Sequence, residues 1–378
     1  MIIGFEGKRA VCNSTGLGNY SRLLIEELSE YFPQHQYHIY SPNKDNQHRL
    51  ADLLKRKNVS LHLPRSAPLG KNLWRSIYGL STQGEHDGVD ILHGLSAELP
   101  LDSSQSSLKT VVTIHDLIYC HYPSECGIIN NIIYKFKCRH ACNIADRIIA
   151  VSECTKRDII QFFGIPDNKV NVIYQGCSPR FSEPISRETI DAIKLKYSLP
   201  ERYFLNVGTI VERKNALLIV KALELIDDKT IPLIIVGRKT KYTNLIDCYA
   251  RQHGLAKRVL FLNDVPTHHL PAIYHQATAF VYPSKYEGFG IPVIEAQTCG
   301  IPVIVATGSS LLEAAGLDAM SVNPESVDEM VESLNLILRD ESLRLSLIER
   351  GKENIKRFEH KKLAQEMMTI YQNLLLNG

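Results

Sequence analysis

Short runs rich in β-branched and aromatic residues alternate with stretches of helical periodicity from one end of this chain to the other. That is the pattern of a parallel sheet whose strands are joined by crossover helices, so the fold class is α/β. In the first half, residues 2–5 read as a strand, a glycine-bearing loop follows, and Tyr20, Leu23, Leu24 and Leu28 then recur at helical spacing. Residues 36–40, 91–93, 110–114, 147–151 and 170–174 read as further strands. Ser152 suits the N-cap of a helix that ends at Gly164, because its hydroxyl can accept from an orphan amide of the first turn. A second array of strands at 203–207, 232–236, 258–262, 279–282 and 302–305, each followed by a helical segment, predicts a second doubly wound sheet. Between the arrays, QGCSPRFSEP (175–184) is rich in Gly, Ser and Pro without periodicity and reads as a linker, with the boundary at 178/179. From Ser326 onward the chain is helical with breaks near Asp340 and Phe358, and Leu363, Met367, Ile370, Tyr371 and Leu374 share a face of the last segment.

The length of 378 residues, at about 150 per domain, also predicts two or three domains. Hydrophobic residues at 44% and charged residues at 22% exclude disorder, and the net charge of +2 provides no overall field to draw nucleic acid or an anionic membrane. Glu6, Lys8 and Arg9 interrupt the start, so it does not read as a secretion signal, and no run reaches the roughly 18 apolar residues of a spanning helix. Nine dispersed cysteines without C-x-x-C spacing read as thiols in a reducing cytoplasm. Two α/β domains joined by a short linker predict a cleft between the carboxyl ends of two sheets, where open α/β folds bind ligands.

Four constellations lie at strand ends. In YEGFGIPVIE (286–295), Gly288 and Gly290 let backbone amides approach a ligand, and Phe289 and Ile291 lead into a helix that Pro292 opens. The helix dipole favours a phosphate there, and the carboxylates of Glu287 and Glu295 suit sugar hydroxyls. Taken alone, Glu295 reads equally as a charge complementing the dipole and Glu287 as a solvated loop charge. In VGTIVERKN (207–215), Arg213 and Lys214 could embrace a diphosphate, or stand as a solvated basic pair. STGLGNY (14–20) supplies Gly16 and Gly18 but lacks the third glycine of a dinucleotide fingerprint. TIHDL (113–117) ends a strand with His115, a residue that is structural more often than catalytic when it stands alone. There is no D-x-D, no histidine pair at metal-ligand spacing with a third ligand nearby, no P-loop and no G-x-S-x-G, so neither a metal nor a cofactor is expected.

Together these segments resemble the retaining glycosyltransferases of family four, which have the GT-B fold. FVYPSKYEGFGIPVIEAQTCGIPVI looks like that family's E-x7-E segment, VGTIVERKN its Arg-Lys loop and RFEHKKLAQEMMTIY its closing helix. The resemblance implies an acceptor-binding Rossmann-like domain at 1–178, with 358–378 crossing back onto it, and a donor-binding one at 179–357. It implies that Arg213 and Lys214 bind the donor diphosphate, that Glu287 and the amides of 288–291 hold the donor sugar, and that Glu295 binds the ribose. The backbone at Val265 then contacts the base, Gly16 and Gly18 lie near the phosphates, and His115 touches the transferred sugar. TIHDLIYCHYP looks most like the mannosyltransferase branch that builds bacterial surface polysaccharides, which implies GDP-mannose as donor and a glycan or lipid-linked glycan as acceptor. The aromatic, partly basic segment 120–137 is expected to meet that acceptor, in the cytoplasm or in peripheral contact with the inner face of the membrane. A UDP-sugar transferase, a sugar-nucleotide epimerase and a non-catalytic sugar-nucleotide sensor remain as alternatives.

Overall fold

The protein, seen in a computed structural model that describes residues 1–68 and 70–376, divides into two units. One comprises residues 1–175 with the C-terminal segment from 359, and the other residues 176–358. The first carries β1 (Ile2–Glu6), β2 (Gln36–Tyr40), β3 (Val59–His62), β4 (Ile91–Gly94), β5 (Lys109–Ile114), β6 (Arg147–Ala150) and β7 (Val170–Val172). They form one sheet in the order β3-β2-β1-β4-β5-β6-β7, parallel at every pairing. The second unit carries β8 (Phe204–Val207), β9 (Leu233–Val236), β10 (Val259–Leu262), β11 (Ala279–Tyr282), β12 (Val303–Ala306) and β13 (Met320–Val322). Their order, β10-β9-β8-β11-β12-β13, is again parallel throughout.

In both sheets the strand order reverses once, between β1 and β4 and between β8 and β11. Loops leaving those strands part to opposite faces and open a crevice at the carboxyl edge, the place where doubly wound sheets hold ligands. The loops that carry Arg213–Lys214 and Glu287 follow β8 and β11, the two strands that flank the reversal. Strands β8, β9, β11 and β12 are buried at every position, as strands covered by helices on both faces must be.

Two strands were not expected. β3 (VSLH) has a single buried residue and β13 (MSV) only three residues; both sit at sheet edges, where one neighbour suffices and the apolar signal is short. The expected loop at Gly16 and Gly18 is also corrected. A short helix, Lys8–Cys12, follows β1, and both glycines lie in the first turn of the helix Gly16–Tyr31. Gly18 is there for packing, since a Cβ would stand 2.0 Å from the carbonyl oxygen of Asn13. Ser152 caps the helix Glu153–Phe163 through the Thr155 amide, and Gly164 closes it in the left-handed conformation.

The last helix, His360–Leu376, belongs to the first unit, where Leu363, Met367, Tyr371 and Leu374 join the core with Ile25 and Leu28. Glu27 accepts a hydrogen bond from His360 at its start. Deeper in, Tyr371 Oη lies 2.6 Å from His93 Nδ1, His93 Nε2 lies 2.8 Å from Thr113 Oγ1, and Thr113 Oγ1 lies 3.2 Å from Tyr20 Oη. Burial keeps the His93 imidazole neutral, pushed down to about 3. Tyr371→Phe leaves a buried ring nitrogen unpaired and is expected to cost about 1–3 kcal/mol of unfolding free energy, measured by urea denaturation.

Candidate functional site

In the second unit the chain leaves β8 through Gly208, runs to the one-turn segment Glu212–Lys214 and enters the helix Ala216–Leu225. It leaves β11 at Tyr282 and begins the helix Ile291–Thr298 after Gly290. Because β8 and β11 are neighbours, these loops converge. Glu287 Oε1 lies 3.0 Å from Arg213 Nη1 and 3.4 Å from Lys214 Nζ, and accepts from Ser284 Oγ at 2.8 Å and Tyr282 Oη at 3.1 Å. Arg213 also donates to the Tyr286 carbonyl, and Lys214 to Tyr282 Oη, with its ammonium 4.9 Å from the centre of that ring. Ser310 Oγ, 2.7 Å from the carbonyl oxygens of both Glu287 and Phe289, fixes the loop from below.

The charges explain the arrangement. Burial alone would push the Glu287 carboxyl up, but Lys214 and Arg213 beside it, with the Ser284 and Arg213 hydrogen bonds, hold it below its ordinary range. Burial likewise works against the Lys214 ammonium, and Glu287 and Tyr282 more than compensate by raising it. All three groups are therefore ionised, and two cations against one carboxylate leave a net charge of +1. Among the described residues, each of these hydrogen bonds and ion pairs to the carboxylate falls on Oε1. The cluster thus offers a fixed positive centre and a carboxylate oxygen, Oε2, that none of these bonds uses.

Glu295 stands apart from this cluster. It occupies the fifth position of the helix Ile291–Thr298, beyond the first turn, so complementing the dipole does not account for it. Its Oε2 accepts from Tyr274 Oη at 3.0 Å. Burial pushes its carboxyl up to about 7, against the Tyr274 hydrogen bond and the more distant charges of Arg180 and Lys214. Gly290, at φ 137°, turns the chain into this helix, while Phe289 is buried edge-on against Phe358 with centroids 5.5 Å apart. Gly288 is buried beside it, and Ile291 opens the helix, followed by Pro292 in the first turn. Val265 sits in the loop after the edge strand β10 and takes no part in the Glu287 cluster.

In the first unit His115 follows β5. Its Nε2–H donates to the Leu95 carbonyl at 2.9 Å, Nδ1 lies 3.0 Å from Gln175 Nε2, and Tyr20 meets the ring edge-on at 4.6 Å. Burial holds the ring neutral, down to about 4. Both nitrogens are engaged, so a sugar hydroxyl could reach this imidazole only by taking Nδ1 from Gln175. Gln175, Tyr282, Ser284 and Tyr274 carried no sequence signal, being polar residues that act through partners distant in the chain.

The segment 120–137, expected as an aromatic loop, is helical. The helix Ile128–Ile144 leaves Ile128, Ile129, Ile132 and Phe136 exposed, with exposed Lys135 and Arg139 beside them. With Ile77 and Leu101, its Ile132, Ile133 and Phe136 line a groove of about 400 Å³. Among the described residues no helix is long and apolar enough to cross a membrane.

Residues 187–354 match the family model described as glycosyl transferases group 1, and residues 14–181 the model described as glycosyltransferase family 4. The O-antigen chain mannosyltransferase B of Escherichia coli is 27% identical over 381 aligned positions, covering 95% of this chain and 96% of that protein. The O-antigen chain mannosyltransferase RfbU of Salmonella typhimurium is 30% identical over 214 positions, covering 57% of this chain and 56% of its own. Among solved structures, a glycosyltransferase from Rickettsia africae matches with a TM-score of 0.76 at 16% identity, covering 100% of this chain and 99% of that one. HepE of Anabaena, in complex with UDP and glucose, matches with a TM-score of 0.73 at 17% identity, covering 99% and 100%. At these identities the structural likeness concerns the fold.

Proposed function

The chain belongs to the family-four glycosyltransferases of GT-B fold, and from that premise we propose that it moves a hexose, mannose from GDP-mannose, onto a lipid-linked glycan in surface polysaccharide synthesis. The observation that supports this most is the Arg213–Lys214–Glu287 cluster. Cleaving a sugar–diphosphate bond gathers negative charge on the leaving oxygens, and a positive centre already fixed in place lowers that barrier without reorganising. Oε2 of Glu287 is left to accept from a sugar hydroxyl, and Glu295 from the ribose. The amides of 288–291 face the donor, and the backbone at Val265 lies along the base. Cations of the protein thus take the part that a divalent ion plays elsewhere, and transfer retains the anomeric configuration because the carboxylates of the motif stay on the donor side. The mannosyl donor and the polysaccharide role rest on the two mannosyltransferase relatives. A lipid-linked acceptor is supported by the apolar face of the helix Ile128–Ile144. Its flanking Lys135 and Arg139 complement an anionic bilayer, so contact with the membrane is peripheral.

The test is transfer of radiolabel from GDP-mannose, with UDP-glucose in parallel, to a lipid-linked glycan in anionic vesicles containing excess EDTA. NMR of the product then reads the linkage. Retained configuration and mannose incorporation are expected. Release of free sugar, an absence of turnover with either donor, or an inverted linkage overturns the mechanism.

Glu295 gives a pH signature. Its folded value of about 7 lies above the ordinary 4.5, so the folded state holds the proton more tightly and stability from this group falls as pH rises between those values. Ribose recognition needs the ionised form, so nucleoside diphosphate affinity, measured by calorimetry, is expected to rise through about pH 7. Glu295→Gln abolishes that rise, while the ligand's own titration persists in both proteins.

A further inference from the structure

Far along the first sheet from the loop that carries His115, three side chains able to ligate a metal come together. His38 and Tyr40 share one face of β2, and Ser60 and His62 share one face of β3. The register pairs His38 with Ser60 and Tyr40 with His62. Asp87 reaches them from the C-cap of the helix Leu80–His86. One ligating atom each from His38, His62 and Asp87 lie within 4.8 Å of one another. Strands β1 and β4 separate β2 from β5 and its His115 loop.

The hydrogen bonds around the cluster leave one group unaccounted for. Asp87 Oδ2 lies 3.2 Å from His62 Nδ1 and accepts from Tyr40 Oη at 2.9 Å, while Arg65 holds Oδ1. His62 Nε2 lies 2.8 Å from Ser60 Oγ. The His38 ring stacks on His62 with centroids 4.3 Å apart, and His38 Nδ1 is buried without a hydrogen-bond partner. Buried polar nitrogens are nearly always paired, so this one marks a place where a partner is missing.

We propose that His38, His62 and Asp87 form a binding site for a divalent transition cation of the zinc class. Two imidazoles and a carboxylate suit that class, and three protein ligands leave a fourth position for water. On binding, the cation takes the place of the proton on His62 Nδ1. The neutral ring has that one proton, which passes by exchange with solvent to Nε2, so the tautomer changes and no net proton is released. Ser60 fits both states, because its hydroxyl donates to Nε2 in one and accepts from Nε2–H in the other, the outer hydrogen bond that ligating histidines ordinarily make. Burial lowers both His38 and His62, so the rings meet the cation in their neutral form. Arg65, whose side chain is 65% exposed, can turn to solvent as the cation arrives. The site would tie β2, β3 and the end of the helix Leu80–His86 together, and it is independent of the glycosyltransferase reading.

The experiment uses the full chain with Cys12→Ser and Cys248→Ser, because those two thiols are exposed and thiolates compete for zinc. After dialysis against a chelator, zinc is returned by titration and the bound metal counted. One tight equivalent is expected, together with a rise in Tm on saturation. Co²⁺ in its place should show ligand-field bands without thiolate charge transfer. His38→Gln, His62→Ala and Asp87→Asn should each lose the equivalent and the Tm response while keeping the far-ultraviolet spectrum of a folded protein. No bound equivalent in the Cys12→Ser, Cys248→Ser protein, or one that survives in His38→Gln and His62→Ala, overturns the site.

Discussion

Arg213→Ala is expected to slow sugar transfer by about 10²- to 10³-fold, the loss that follows when one fixed donor is taken from a developing anion. The guanidinium touches Glu287, Ser284 and the Tyr286 carbonyl. Its removal therefore does two things, which can be separated. It lowers the net charge of the cluster from +1 to zero, which acts on the leaving diphosphate. It also leaves the half-buried Glu287 with Lys214 as its one counter-ion among the described residues, which destabilises the fold, by about 3 kcal/mol if Glu287 keeps its charge. Combining Arg213→Ala with Glu287→Gln removes the uncompensated carboxylate, so Tm should recover while the rate does not. Lys214→Ala should slow transfer to a similar extent and weaken nucleoside diphosphate binding. Unchanged turnover and diphosphate affinity in both single variants would remove the phosphate assignment, and a rate that recovers with Tm would mean that the cations serve only the fold.

That cluster also marks how far the sequence could be read. The strands around it were legible because each is a run of four or so apolar residues bounded by turn signals, as with LIIV of β9 and AFVY of β11. The loops were legible as loops that end strands. What the sequence could not express is that Arg213 and Glu287, 74 residues apart, meet because β8 and β11 are adjacent in the sheet order. Side-chain direction was equally hidden. Glu287 was assigned to a sugar, and in the structure one of its oxygens is saturated as the counter-ion of the basic pair. The glycines at 16 and 18 looked like a turn because G-x-G breaks helices in isolation, yet tertiary packing holds them in the first turn of one. His38, His62 and Asp87 have no motif spacing at all, since the pairing of two strands and the end of a helix brings them together.

Gly237→Ala is expected to cost about 3 kcal/mol or more, because here backbone meets backbone. A Cβ at residue 237 would stand 1.8 Å from the Gly208 carbonyl oxygen and 2.6 Å from its carbon, with no flexible side chain to move aside. The two strand ends are tied at this point. The Gly208 amide donates to the Val236 carbonyl at 2.8 Å, the Gly237 amide to the Leu262 carbonyl at 2.9 Å, and the Ile210 amide to the Arg238 carbonyl at 3.1 Å. Relief of the clash must therefore push residues 208–210 away from β9 or break these bonds, and either movement is passed to Arg213 and Lys214 at the other end of the same loop. A domain stable by 5–15 kcal/mol loses a large share of its margin in this way. Urea denaturation should show the midpoint falling sharply with little change in slope, and the folded fraction should turn over substrate more slowly than wild type. Wild-type stability in the alanine variant would mean that the loop after β8 can yield, and the positive centre beside Glu287 would then lack the rigid backbone on which its preorganisation depends.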